Sequence, residues 1–179
     1  MSEPTEKDIV DLILDQLKAN LTADLQTAIA VGDVARVKSV TIGPIAADKE
    51  QYSPYIELYH ASQDLGLQQY KGGSFPILHT IGGGGMWAHH FMIQVSQFMV
   101  SGSTARATAA NRHASLRYRV KKCLRDDPNL QGAEDTFGAT VAANDPNDII
   151  IYYSSNTRGG DSEWIWTTTY YVRYRVDQP

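Results

Sequence analysis

Apolar residues recur every four positions at the start of the chain, at Ile9, Ile13, Leu17, Leu21, Leu25 and Ile29, and Val10 and Leu14 widen the stripe. That repeat predicts an amphipathic helix over residues 5–31. Thr5 is its expected N-cap, with Asp8 three residues on, and Gly32 its expected stop. Asn20-Leu21-Thr22 reads as a kink or a division into two shorter helices. From Arg36 the period changes to two. A short strand is expected near Arg36 to Ile42, ending at Gly43-Pro44, and a second near Pro54 to His60, where Ile56 and Leu58 alternate with Tyr55, Glu57 and Tyr59. These two can pair as neighbours across the loop at 43–53.

Residues 61–86 are polar and rich in glycine, with Lys71-Gly72-Gly73-Ser74-Phe75-Pro76 and Gly82 through Gly85. A connection of this length in a compact domain serves a function or becomes ordered on binding. Trp87 to Val100 then predicts a long strand, with Trp87, Phe91, Ile93 and Val95 on one face and His90, Gln94 and Ser96 on the other. A second helix is expected from Thr104 to Leu124, carried by Ala105, Ala109, His113, Leu116, Val120 and Leu124 and ended by Asp126-Asp127-Pro128.

Three strand-like segments follow: a weak one near Phe137 to Ala142, a strong one at Ile149 to Tyr153, and a last one at Trp164 to Val176. In the last, Trp164, Trp166, Thr168, Tyr170, Val172, Tyr174 and Val176 share a face, and Glu163, Thr167, Thr169, Arg173 and Arg175 share the other. Such alternation predicts a sheet packed on one side and open to water or a polar partner on the other. The element order predicts an α+β fold. An antiparallel or mixed sheet of about five strands, in consecutive hairpins, is flanked by the N-terminal helix and a second, basic helix. A single domain is expected over 1–179, with a long Gly-rich loop at about 61–86.

Composition narrows the class. The 179 residues are 42% hydrophobic, 9% aromatic and 20% charged, which excludes a disordered tail, a collagen-like rod and a coiled coil. A formal charge of -4 gives no global attraction to nucleic acid or anionic membrane. Cys123 is the single cysteine, so neither an intramolecular disulfide nor a thiolate zinc site can form, and a reducing cytoplasm is the expected place of synthesis. The N-terminus is acidic where a secretion signal is basic, and no run nears the roughly 18 apolar residues of a membrane span.

Candidate chemistry is sparse. Gly82-Gly83-Gly84-Gly85 precedes a strand, whereas a phosphate-binding glycine loop opens a helix. His60, His79, His89, His90 and His113 are possible ligands, but His89 and His90 alternate across a strand and His113 lies on an apolar helical stripe, where a hydrogen-bonded packing role is expected. Cys123 stands beside Lys121, Lys122 and Arg125 with no base in sequence, and reads as a packed residue. Asp126-Asp127 and Asp145-Asp148 fit turns beside Pro128 and Pro146. No catalytic residue, cofactor or metal is expected.

Charge is segregated. Residues 1–33 hold seven acids against two lysines, whereas 103–125 hold Arg106, Arg112, Arg117, Arg119, Lys121, Lys122 and Arg125 with no acid. Two readings stand: a surface that meets an acidic partner, or a solvated helix face partly neutralised by the acidic helix of the same subunit. Direct DNA binding is the weaker reading in an acidic chain. Aromatic residues gather in the last third, at Tyr152, Tyr153, Trp164, Trp166, Tyr170, Tyr171 and Tyr174, as core or cross-strand pairs and in part as interface.

From Trp87 onward the chain resembles the tail terminator, or tail-completion, proteins of tailed bacteriophages. The likeness lies in His90-Phe91-Met92-Ile93-Gln94-Val95-Ser96, the Ala/Arg-rich helix ending in Leu124-Arg125-Asp126-Asp127, then Asn129-Leu130-Gln131-Gly132, and the final Tyr170-Tyr171-Val172-Arg173-Tyr174-Arg175-Val176. The resemblance implies a non-enzymatic virion protein that caps the head-proximal end of the tail tube as a ring, typically of six copies. Its implied partners are its own copies, the tail tube protein and the head-completion proteins of the neck. Genomic DNA would pass through the lumen without sequence-specific binding, and no membrane is involved. Assembly would take place in the host bacterial cytoplasm. Another neck role, head-closure or adaptor protein, is the nearest alternative, followed by a small-ligand- or metal-binding enzyme domain using the glycine loop and His79, His89 or His90. The loop at 61–86 is longer and richer in glycine than the resemblance leads one to expect. The expected interface comprises Arg106, Arg112, Arg117 and Arg119 with Lys71, Gly72, Gly73, Phe75, Gly83, Gly84 and Trp87.

Overall fold

The N-terminal repeat forms helix α1, Glu6–Thr22, which runs directly into a π-helical turn, Ala23–Thr27, in a computed structural model describing residues 6–45, 49–60, 86–99, 103–127, 130, 141–142, 150–159 and 163–177. A strict four-residue repeat precesses by about 40° per step on a 3.6-residue helix. The wider turn, closed by Ala28 N–H to the Ala23 carbonyl at 2.8 Å, reverses part of that drift. Ile9, Ile13, Leu17, Leu21, Leu25 and Ile29 are accordingly all buried. Helical structure ends at Thr27, earlier than the expected 31, and Thr5 lies outside the described residues. The 20–22 segment stays helical. Asn20 ties helices together there: it accepts from Gln16 Nε2 at 3.0 Å and donates to Asp127 Oδ2 at 2.6 Å.

Strands β1 (Ser39–Ile42) and β2 (Tyr55–His60) are neighbours, as expected, but run parallel. The connection between them carries a 3₁₀ turn, Lys49–Tyr52, and is long enough for a crossover, so the expected run of consecutive hairpins does not begin here. The long strand β3, Met86–Met99, pairs antiparallel with β2. It is followed by α2, Ser103–Asp126, whose Ala, Leu, Arg and Lys content with no Gly or Pro favours a continuous helix.

Three strands complete the sheet: β4 (Val141–Ala142), β5 (Ile150–Gly159) and β6 (Glu163–Asp177). The order is β1-β2-β3-β6-β4, with β5 also pairing β6. Along one edge of β6, β5 covers 163–171 and β4 covers 175–176, while β3 runs along the other edge from Trp164 to Asp177. Among the described residues the fold is therefore α+β, with a mixed sheet and two α-helices.

Register places Val40, Ile56 and Leu58, Phe91, Ile93 and Val95, and Tyr170, Val172 and Tyr174 on one sheet face. All are buried in one cluster with α1, the π turn and the Leu116, Val120 and Leu124 stripe of α2. Both helices thus lie on the same side. The opposite face departs from the expected open surface, because Tyr55, Glu57, Ser96 and Tyr171 are buried there as well. Tyr55 stacks on Phe98 at 6.2 Å, and Glu57 Oε1 accepts the Ile45 N–H at 2.9 Å, so side chains and the chain after β1 fold over part of that face.

Candidate functional site

Beyond the π turn the chain reverses at Val31-Gly32-Asp33. Gly32 takes φ +92°, a left-handed conformation open to glycine at little steric cost. Asp33 Oδ1 accepts the Ala35 N–H at 2.8 Å, and Val37 N–H donates to the Leu25 carbonyl at 3.0 Å, strapping the returning segment to the helix end. Ala35 and Val37 are drawn into the core. A turn closed by Arg36 N–H to the Asp33 carbonyl at 3.1 Å leaves Val34 exposed at its tip, and Arg36, half-buried, and Lys38, exposed, follow it. Together with Val31, Pro54 and Arg112 of α2 they line a cleft of about 450 Å³. Val31 is 88% exposed and Val34 47%.

Arg36 Nη1 donates to the Ile29 carbonyl, and Lys38 Nζ donates to the Gln51 carbonyl at 3.2 Å. A neutral carbonyl orients a cation without cancelling its charge. Among the described residues Arg36, Lys38 and Arg112 form no ion pair, whereas Arg119 binds Asp24 at 3.1 Å, Lys122 binds Asp126, and Lys7 binds Asp11 at 3.5 Å. The cleft holds one carboxylate, Asp33, which accepts the Ala35 amide and keeps its charge, so three cations there share the lining with a single acid. Net positive charge thus gathers at this turn, whereas Lys18, Lys121 and Arg125, which likewise form no ion pair among the described residues, are spread along the helices.

The expected interface arginines separate. Arg112 and Arg119, seven residues apart, share one flank of the α2 core stripe, and Arg117 lies on its other flank. Arg112 is exposed in the cleft. Arg119 is engaged with Asp24 beside α1, so at this position the neutralising acid comes from the same subunit. Arg117 is half-buried, and its carbonyl accepts the Tyr170 hydroxyl at 2.9 Å. Arg106 lies in α2 and Trp87 in β3 opposite Val176, with side chains outside the described set. Lys71, Gly72, Gly73, Phe75, Gly83 and Gly84 lie outside the described residues.

Sequence reasoning missed Val31, Val34, Arg36 and Lys38 as members of a site. The available signal was the pair of valines beyond the helix stop, followed by cations alternating with the inward Ala35 and Val37. Asp24→Asn is expected to lower stability by only about 0.5–1 kcal/mol, because the Arg119 pair is partly exposed. A urea denaturation curve checks it, and a much larger loss would mean the pair is more deeply buried than this geometry allows.

Cys123 packs against the core, and burial, reinforced by the charges of Asp24, Asp126 and Asp127, pushes its thiol up to about 12. Burial is the larger cause and the acids add to it, while the Arg119 charge opposes them, which makes the thiol a weak nucleophile at neutral pH. His113 packs as expected, 2% exposed, with Nε2 2.8 Å from Thr168 Oγ1. No group of three or more His, Cys, Asp or Glu side chains suited to a metal ion occurs among the described residues. No described helix is long and apolar enough to cross a membrane. No protein-family model matches the chain, and comparison with curated proteins finds no relative.

Proposed function

We propose that the chain is a structural subunit of a bacteriophage neck, which caps the head-proximal end of the tail tube as a ring and joins it to head-completion proteins. The observation that carries this reading is the division of charge over two surfaces of one subunit. The outer side of α1 exposes Asp8, Asp11 and Asp15, and the cleft presents Arg36, Lys38 and Arg112 without carboxylate partners among the described residues. Unlike patches on one subunit are what a heterologous, ring-closing contact requires. The phage context comes from the likeness of the segments from Trp87 onward to tail terminators. The subunit acts by shape and charge complementarity, without covalent chemistry or a cofactor. It resides in the virion, between tail and head.

Deleting the gene from the phage that carries it is expected to yield filled heads and unjoined tails of irregular length in electron micrographs. Infectious particles should return when the gene is supplied in trans. Normal joined virions from the deletion strain would overturn the reading.

A further inference from the structure

We infer that the cleft at Val31–Lys38 and Arg112 is a docking site for the acidic outer stripe of α1 in a second copy of this chain, making a head-to-tail contact. Asp8, Asp11 and Asp15, spaced by three and four residues, lie along one exposed side of α1. The helix and its π turn run on from there to Thr27. At about 1.5 Å per residue, the stripe lies roughly 20–30 Å from the turn that carries the cleft. Asp11 meets Lys7 at 3.5 Å, an exposed pair that water leaves weak, and within one subunit the charge of the stripe cannot reach that of the cleft, because no side chain spans that gap. Between subunits it pairs directly.

Apolar surface matches in the same sense. Val31 and Val34 stand exposed at the cleft. Asp15 borders a shallow apolar groove of about 630 Å³, walled in part by Ala19 and Ala23, into which such side chains fit. Charge complementarity thus sets register and orientation, and the valines supply the buried area. The patches differ, so the contact is heterologous and propagates round a ring. This inference rests on the chain being an assembling subunit, and it names the contact that reading lacks.

The test compares the purified chain with Arg36→Glu/Arg112→Glu and with Asp11→Lys/Asp15→Lys by sedimentation velocity and native mass spectrometry at low and high salt. The wild-type chain is expected to self-associate, more weakly at high salt. Each double variant alone should lose at least about tenfold in association. An equimolar mixture of the two should recover it, since each reversed surface then meets its opposite, and that recovery also shows both variants to be folded. A wild-type chain that remains monomeric, an association that neither variant alters, or a mixture that fails to recover would each overturn the inference. If virions still require the gene, the neck reading survives that failure. If charge-swapped association holds while the deletion strain makes normal virions, the docking contact stands and the neck reading falls.

Discussion

Phe91→Ala is expected to lower the free energy of unfolding by about 3–5 kcal/mol. That is a large share of the roughly 5–15 kcal/mol that holds an ordinary domain folded. Phe91 is fully buried on β3, with β2 on one side and β6 on the other. Its ring lies 5.9 Å from that of Tyr174 and 5.4 Å from that of His60, both tilted, so truncation removes aromatic contacts on two neighbouring strands as well as apolar area. Strands on both sides and helices above restrict collapse into the gap, which places the change at the costly end of large-to-small substitutions. Phe91→Leu should retain most of the stability. Tyr118→Ala, at a position 69% exposed on α2, should stay within about 0.5 kcal/mol of the parent. Urea denaturation of the three variants decides the matter. A Phe91→Ala loss below about 1 kcal/mol would mean that the core does not centre on β3.

Acidification is expected to remove roughly 3 kcal/mol of stability through His113 alone. Burial, with a smaller contribution from the Arg117 charge, lowers its imidazole from 6.5 to about 4. The geometry agrees: Nε2 meets Thr168 Oγ1, while Nδ1 is buried with no hydrogen-bond partner, so a second ring proton would have no acceptor. The fold therefore favours the neutral ring. Its contribution is complete above about pH 6.5, declines as pH falls from 6.5 towards 4, and levels off below 4. His113→Gln, which can still hydrogen-bond to Thr168, should flatten the stability profile within that window. An NMR titration of the His113 ring reads the same quantity directly. A midpoint near 6.5 in the folded protein would refute the assignment.

Much of the fold was legible in advance, and particular residues show why. The four-residue repeat from Ile9 to Ile29 and the alternation at Ile56 and Leu58, at Phe91 to Val95 and at Thr168 to Tyr174 marked the residues that are buried. Each of those signals is local: a helix or strand that segregates apolar side chains onto one side can be recognised without knowing its neighbour. The candidate site was legible only in fragments. Arg112 was named, but grouped with Arg117 and Arg119, which α2 turns towards a different flank and towards Asp24 respectively. Arg36 and Lys38 were passed over because nothing adjacent in sequence tells that Arg112, some seventy residues later, stands beside them.

Sequence by itself determined the kind and order of the main elements, the inward side of α1, α2 and the central strands, and the segregation of acids from bases. Solvent partitioning acts on each segment separately, so its record is written in short-range periodicity. Tertiary structure alone decided that β1 and β2 run parallel, that Asn20 reaches Asp127 across the helix pair, that burial, helped by Asp24, holds the Cys123 thiol up, and which cations lack a carboxylate. Those outcomes depend on distances between residues remote along the chain. Coulomb and desolvation energies follow such distances, and only the packed arrangement of helices on the sheet supplies them.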